Sequence, residues 1–78
     1  MMTESLDENQ QTVRLTTEPV ALYKILKFEN LATSGGEAKH WVADGKVKVN
    51  GQVETRKRRK IYAGDEVAFN GVTLVMTK

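Results

Sequence analysis

Two Asn-Gly pairs constrain the fold of this chain more than any other feature of its sequence. Asn50-Gly51 and Asn70-Gly71 each stand between short segments in which apolar and polar residues alternate. Asn-Gly is the strongest short hairpin signal, because both residues accept the positive φ angles of a tight turn. A two-residue turn at the second pair places these apolar residues on one face: Val67, Phe69, Val72, Leu74 and Met76. The C-terminal half is therefore predicted to form a small, mostly antiparallel β-sheet.

The first Asn-Gly pair predicts a longer connection. With a two-residue turn, Val49 would pair with Gln52, and Val53 would lie on the opposite face of the sheet. A three-residue loop, with Gly51 or Gln52 in a bulge, instead places Val49 opposite Val53. We predict the longer loop, because it keeps both valines on the same face.

Helical periodicity dominates the middle of the chain. Pro19 fits the first turn of a helix that extends to Phe28, since its missing N–H costs nothing there. The helical spacing of Leu22, Ile25 and Leu26 predicts that these three side chains face the core.

A second helix is predicted to begin at the capping box Ser34-Gly35-Gly36-Glu37, in which the serine hydroxyl and the glutamate each satisfy a backbone N–H. Its apolar stripe consists of Ala38, Trp41, Val42 and Gly45. Gly45 is well placed to end the helix in a left-handed conformation. Trp41 is interpreted as a core residue rather than a base-stacking platform. Two short packed helices against the sheet make the predicted fold class α+β.

Length and composition exclude several classes of function. The 78 residues leave room for one small domain. The chain has no cysteine and only one histidine, His40, which excludes disulfides, thiolate zinc sites and histidine-cluster metal sites. The sequence contains neither a secretory signal nor an apolar run near the ~20 residues of a membrane span, so a cytoplasmic protein is expected. No acid/base pair stands out, so neither an enzyme nor a cofactor is predicted.

Charge is distributed unevenly along the chain. Residues 1–11 contain Glu4, Asp7 and Glu8 and no basic residue, and they are interpreted as a mobile acidic tail. The folded domain is predicted over residues 12–78 and begins with a short strand at 12–15. Those residues hold twelve basic and seven acidic side chains, which raises the net charge from +2 for the whole chain to +5. A polyanionic partner is therefore expected.

The positive charge is densest in a basic segment without any apolar residue. This basic segment consists of Arg56, Lys57, Arg58, Arg59 and Lys60. Adjacent bases neutralise phosphates and release counterions, and arginine also grips phosphate in bidentate fashion. The alternative is a solvated loop that maintains solubility. Ile61 and Tyr62 are then expected to return the chain to the core.

The start of the second helix is another candidate phosphate site. Thr33, Ser34, Gly35 and Gly36 offer hydroxyl and backbone N–H groups at the positive end of the helix dipole, and Lys39 lies one turn further on. The alternative is that the capping box serves the helix alone.

The order of four motifs resembles the RNA-binding domain named after ribosomal protein S4. The motifs are LYKILK at residues 22–27, TSGGEAK at 33–39, GKVKVNG at 45–51 and GDEV at 64–67. The resemblance covers about residues 18–69 and includes the helix-helix-hairpin unit called the alpha-L motif. The ETRKR stretch that follows the hairpin is most similar to the small stand-alone bacterial members of the YbcJ type.

The resemblance implies a non-catalytic module that binds structured RNA, most of all ribosomal RNA or a ribosomal particle, as a monomer. By position, it assigns to the binding face Lys24, Lys27, Thr33, Ser34, Gly35, Gly36, Lys39, Lys46, Lys48 and Asn50. This sequence departs from the family pattern at Ala21, Tyr23 and Gly35, where many members carry arginine, aspartate and arginine. The basic segment is the candidate replacement for those side chains. The alternatives are a protein-interaction module that docks an acidic partner through the basic segment and a general nucleic-acid binder.

Overall fold

The computed structural model describes residues 10–78. Its elements in chain order are β1 (Gln10–Arg14), β2 (Val20–Ala21), α1 (Leu22–Phe28), α2 (Gly35–Ala43), β3 (Val47–Val49), β4 (Gln52–Val53), β5 (Lys60–Ile61), β6 (Glu66–Phe69) and β7 (Val72–Thr77). The predicted α+β class is confirmed. The acidic tail predicted over residues 1–11 lies outside the described residues except for Gln10 and Gln11, which belong to β1. The first strand therefore begins two residues before its predicted start.

The main sheet has five strands in the order β1-β7-β6-β3-β4. All neighbouring strands are antiparallel except β1, which pairs in parallel with β7. A second, two-stranded sheet joins β2 to β5. The helices pack against each other, and their apolar faces share one core with the strands. The largest fully buried side chains are Leu22, Ile25, Leu26, Ile61, Leu74, Met76, Val42, Val47 and Val67. Among residues 10–78, no helix combines the length and hydrophobicity needed to cross a membrane.

The two Asn-Gly hairpins have the same turn length, so one prediction is confirmed and the other is wrong. At the second hairpin, Phe69 pairs with Val72 across the predicted two-residue turn. At the first hairpin, Val49 pairs with Gln52 and no bulge forms, which leaves Val53 56 % exposed. A tight turn with two positive φ angles matches the natural twist of the strands, so the turn geometry outweighs the burial of one valine.

The first helix is shorter than its sequence predicts. Val20 and Ala21 pair with Ile61 and Lys60 as strand β2, and α1 begins only at Leu22. Pro19 therefore precedes a strand and is not part of the first helical turn. The predicted core face is confirmed, because Leu22, Ile25 and Leu26 are all buried. A strand partner about 40 residues away in sequence decides the boundary, which local periodicity cannot reveal.

The second helix has its predicted start and end. The Ser34 hydroxyl accepts a hydrogen bond of 3.1 Å from the backbone N–H of Glu37. Gly45, with a φ of 79°, follows the helix and ends it. Trp41 differs from its prediction, since it packs against the core only in part and its ring centroid lies 5.9 Å from that of Phe69. Trp41 therefore lies at the edge of the core.

Candidate nucleic-acid interface

Tyr23 is the point where both helices and the basic segment meet. The Lys39 Nζ lies 4.7 Å from the centroid of the Tyr23 ring, and the Arg58 Cζ lies 5.5 Å from it. Both distances are within the range of cation–π attraction. A Cβ built on Gly35 would lie 3.7 Å from Tyr23 Cε2, so the start of α2 also packs beside this ring. We call Tyr23, Lys39 and Arg58 the Tyr23 surface.

The backbone of the basic segment is held against the start of α1. The Leu22 N–H donates to the Arg59 carbonyl at 2.9 Å, and the Tyr23 N–H donates to the Lys57 carbonyl at 3.1 Å. These are two of the N–H groups that have no partner within a helix. The helix and the segment therefore stabilise each other, because the segment caps the helix and the helix fixes the path of the segment.

Glu54 binds two of the five cations of the basic segment. Its side chain is nearly buried, with the residue only 7 % exposed. One carboxylate oxygen accepts from the Arg56 backbone N–H and from Arg56 Nε, both at 2.9 Å. The other accepts from Arg56 Nη2 at 3.1 Å and from Arg59 Nη1 at 2.7 Å. The hydrogen bonds from Arg56, followed by the one from Arg59, hold the pKa of Glu54 well below its ordinary value.

The sequence contained a signal for this arrangement. Glu54 is the only acidic residue between Lys46 and Lys60. Its burial gives Arg56 and Arg59 a structural role, which the charge pattern of the sequence alone does not reveal. Four cationic side chains of the segment are exposed, namely Arg56, Lys57, Arg58 and Lys60, and of these only Arg56 also binds Glu54.

A shallow groove runs along the basic segment. It is lined by Arg56, Arg58, Arg59, Lys60, Tyr62 and Asp65. Sequence reasoning placed Tyr62 in the core, but the residue is 47 % exposed, while Ile61 before it is fully buried. The reason is that β5 ends at the buried Ile61, and Tyr62 is the first residue beyond the strand.

The predicted phosphate site at the start of α2 is occupied by its own capping groups. The Thr33 N–H and hydroxyl both donate to Glu37 Oε1, at 2.7 Å and 3.2 Å. The bond from the Thr33 backbone N–H is the main cause that lowers the pKa of Glu37, so this carboxyl is a stable anion. An anion at the helix start favours the capping role of Thr33 and Ser34. Phosphate binding at Gly35 and Gly36 stays a prediction.

The remaining predicted site residues are spread over other surfaces. Lys24 and Lys27 are exposed on α1. Lys46 lies 3.9 Å from Asp44, and together with Lys48 it lines a separate depression beside Phe69 and Asn70.

Asn50 is engaged in turn contacts. Its side chain donates to Asp65 at 3.1 Å and accepts from the Glu66 N–H at 2.9 Å. It thereby holds the hairpin turn to the loop before β6. Within residues 10–78, no cluster of three or more side chains suited to metal binding is present.

The fold and the Tyr23 surface define a class of small α+β domain in which two helices and an adjoining loop present cations together. The chain belongs to the S4 domain family, whose model matches residues 13–77. This confirms the family that the four motifs predicted.

Two relatives show how far the similarity extends. The chain is 54 % identical over 52 residues to YbcJ of Escherichia coli (strain K12), a match that covers 67 % of this chain and 74 % of YbcJ. It is 36 % identical over 59 residues to the probable ribosome maturation protein RlbA of Bacillus subtilis (strain 168), covering 76 % of this chain and 83 % of RlbA. The solution structure of E. coli YbcJ, described as revealing an alpha-L motif involved in RNA binding, matches with a TM-score of 0.67 at 46 % identity over 86 % of each chain.

Proposed function

We propose that this protein is a non-catalytic, monomeric RNA-binding module of the cytoplasm that recognises structured ribosomal RNA or a ribosomal particle. The observation that carries the proposal is the Tyr23 surface, on which Lys39 from α2 and Arg58 from the basic segment approach the same aromatic ring. Membership of the S4 domain family supports it. So does the alpha-L motif of YbcJ, which is described as involved in RNA binding.

Recognition would depend on the shape of the RNA and the position of its phosphates. Side chains cannot read the deep, narrow major groove of duplex RNA, so contacts form with phosphates and with exposed nucleotides. Arg58 supplies a planar guanidinium for phosphate, and Lys57 and Lys60 add charge on either side of it. Arg56 and Arg59 act mainly through Glu54, by fixing the shape of the segment that carries the other three.

The names of two relatives support a ribosomal target. RlbA is described as a probable ribosome maturation protein. A stretch of 36 residues is also 47 % identical to part of the ribosomal large subunit pseudouridine synthase D of Vibrio parahaemolyticus, although the match covers only 11 % of that enzyme. The shared part is the kind of module that would bring a protein to ribosomal RNA.

The test is the affinity for a ribosomal RNA hairpin and for a duplex DNA of matched sequence, measured across a salt titration. We expect tighter binding to RNA that persists at about 0.15 M salt, because non-specific phosphate contacts weaken steeply with salt. Arg58→Ala should weaken RNA binding and reduce the salt slope by about one. Arg14→Ala is the matched control, since Arg14 is an exposed arginine on β1 outside the basic segment.

Two results would contradict the proposal. Equal affinity for RNA and DNA that disappears with salt would identify a general nucleic-acid binder. Absence of RNA binding at low salt would favour the interaction with an acidic protein partner.

A further inference from the structure

An exposed aromatic residue lies in the groove of the basic segment. Tyr62 is 47 % exposed and shares the groove with Arg58 and Lys60. Its backbone is fixed, because the Tyr62 N–H donates to Asp65 Oδ2 at 2.9 Å and the preceding Ile61 is buried. A phenol ring held at the surface beside several cations is the arrangement that proteins use to stack an unpaired base and bind its phosphate.

We propose that the groove of the basic segment binds one unpaired nucleotide of the target RNA, with its base stacked on Tyr62. The proposal rests on the RNA-binding function proposed above and narrows the target to helices interrupted by an unpaired nucleotide. A continuous duplex offers phosphates to Arg58 and Lys60 but keeps every base stacked within the helix. Only a bulge, a loop or a junction supplies a base that can reach Tyr62.

Asp65 makes one part of the groove suited to the base of a bound nucleotide and unsuited to its phosphate. Its two carboxylate oxygens accept hydrogen bonds from Asn50 Nδ2 at 3.1 Å and from the Tyr62 N–H at 2.9 Å, so the carboxylate is held in place beside the ring. A fixed negative charge repels phosphate, and its remaining lone pairs accept hydrogen bonds from the amino groups of bases. The base therefore lies at the Tyr62 and Asp65 end, and the phosphate lies toward Arg58 and Lys60.

The experiment compares two RNA probes that differ by one nucleotide. One is a perfect RNA duplex, and the other is the same duplex with a single bulged cytidine. The wild-type protein should bind the bulged RNA roughly 5 to 150 times more tightly, the range that one stacked base provides. Tyr62→Ala should bind both probes with the affinity of the duplex, while Tyr62→Phe should retain the preference.

The matched control is Phe28→Ala. Phe28 is even more exposed, at 63 %, and it lines a different depression, next to β1, so its removal should leave the preference unchanged. A second measurement uses the wild-type protein alone. The ring-proton resonances of Tyr62 should shift upfield when the bulged RNA is added, because a stacked base exerts a ring current, and they should move less with the duplex.

The outcomes separate this proposal from the proposed function. If the wild type and Tyr62→Ala bind both probes equally well and the Tyr62 resonances do not respond, the nucleotide site is wrong while RNA binding stands. If neither probe binds to the wild type, the RNA-binding function itself fails.

Discussion

Glu54 shows how one side chain can give two members of a run of like charges a structural role. Its carboxylate accepts four hydrogen bonds from Arg56 and Arg59 at 2.7–3.1 Å. Five adjacent cations repel one another. The nearly buried anion offsets part of this repulsion and, together with the backbone hydrogen bonds to α1, fixes the segment.

The neutral variant Glu54→Gln tests this role. We expect it to lower the free energy of unfolding by about 1–3 kcal/mol, because hydrogen bonds to charged groups are lost or weakened. Urea unfolding measures the change, and Glu66→Gln, at an exposed position of β6, is the control.

The stabilisation by Glu54 should also depend on pH, with a defined sign. The folded pKa of Glu54 is lowered, so the stabilisation is complete above the ordinary value of 4.5, declines progressively as the pH falls below that value, and is gone below the folded pKa. A stability difference between the two proteins that stays constant down to about pH 2 would contradict this assignment.

At the level of the elements, glycine affects stability in opposite ways in the β3–β4 hairpin and in helix α2. Gly51 has a φ of 85°, and a Cβ there would meet no atom within 4 Å, so its requirement is conformational. Gly36 has no positive φ, and the nearest atom to its Cβ would be Ser34 Oγ at 3.9 Å. Neither position is limited by space in the folded protein.

Alanine should therefore change the stability in opposite directions at these two positions. Gly51→Ala is expected to destabilise the protein by about 1–2 kcal/mol, the cost of a left-handed conformation. Gly36→Ala is expected to stabilise it by about 0.4–1 kcal/mol, because the unfolded chain loses freedom. Thermal unfolding measures both. If Gly36→Ala stabilises the fold but weakens RNA binding, close approach of RNA to the start of α2 is the reason for a glycine at this position. If both variants change the stability in the same direction, the conformational argument is contradicted.

The capping of α1 by the basic segment is also a property of elements rather than of single residues. A seven-residue helix is too short to be stable alone, and the carbonyls of Lys57 and Arg59 satisfy its first N–H groups. The pairing of β2 with β5 brings these two stretches together. The surface proposed to bind RNA and the start of the helix are therefore stabilised by the same contacts.

Over the whole molecule, the distribution of charge leads to a prediction about residues 1–9. This stretch contains three acidic residues and no basic one, and the rest of the chain has a net charge of +5. Removal of residues 2–9 should raise the affinity for RNA at low salt, because long-range attraction to a polyanion increases with net charge. The deletion should end before Gln10, which pairs with Thr73. Unchanged affinity at low salt would show that the acidic residues do not compete with RNA.

Several features could be predicted because they depend on neighbours in sequence. The buried face of α1, the cap at Ser34, the end of α2 at Gly45 and the turn at Asn70-Gly71 all follow from local spacing and backbone preference. The boundary of α1 and the bulge predicted after Val49 were wrong, because strand pairing and turn geometry compete with burial at those points. Local patterns cannot weigh such competition.

The sequence by itself determined the α+β class, the S4 family and the presence of a dense positive charge, because these follow from composition, periodicity and motif order. Tertiary structure alone decided which cations have a partner within the protein. Glu54 binds Arg56 and Arg59, whereas Arg58 and Lys39 approach Tyr23 from different elements. The tertiary structure also placed Tyr62 at the surface, in the groove of the basic segment. The physical reason is that hydrogen bonds and burial depend on distances between segments far apart in the chain, and only the folded backbone sets those distances.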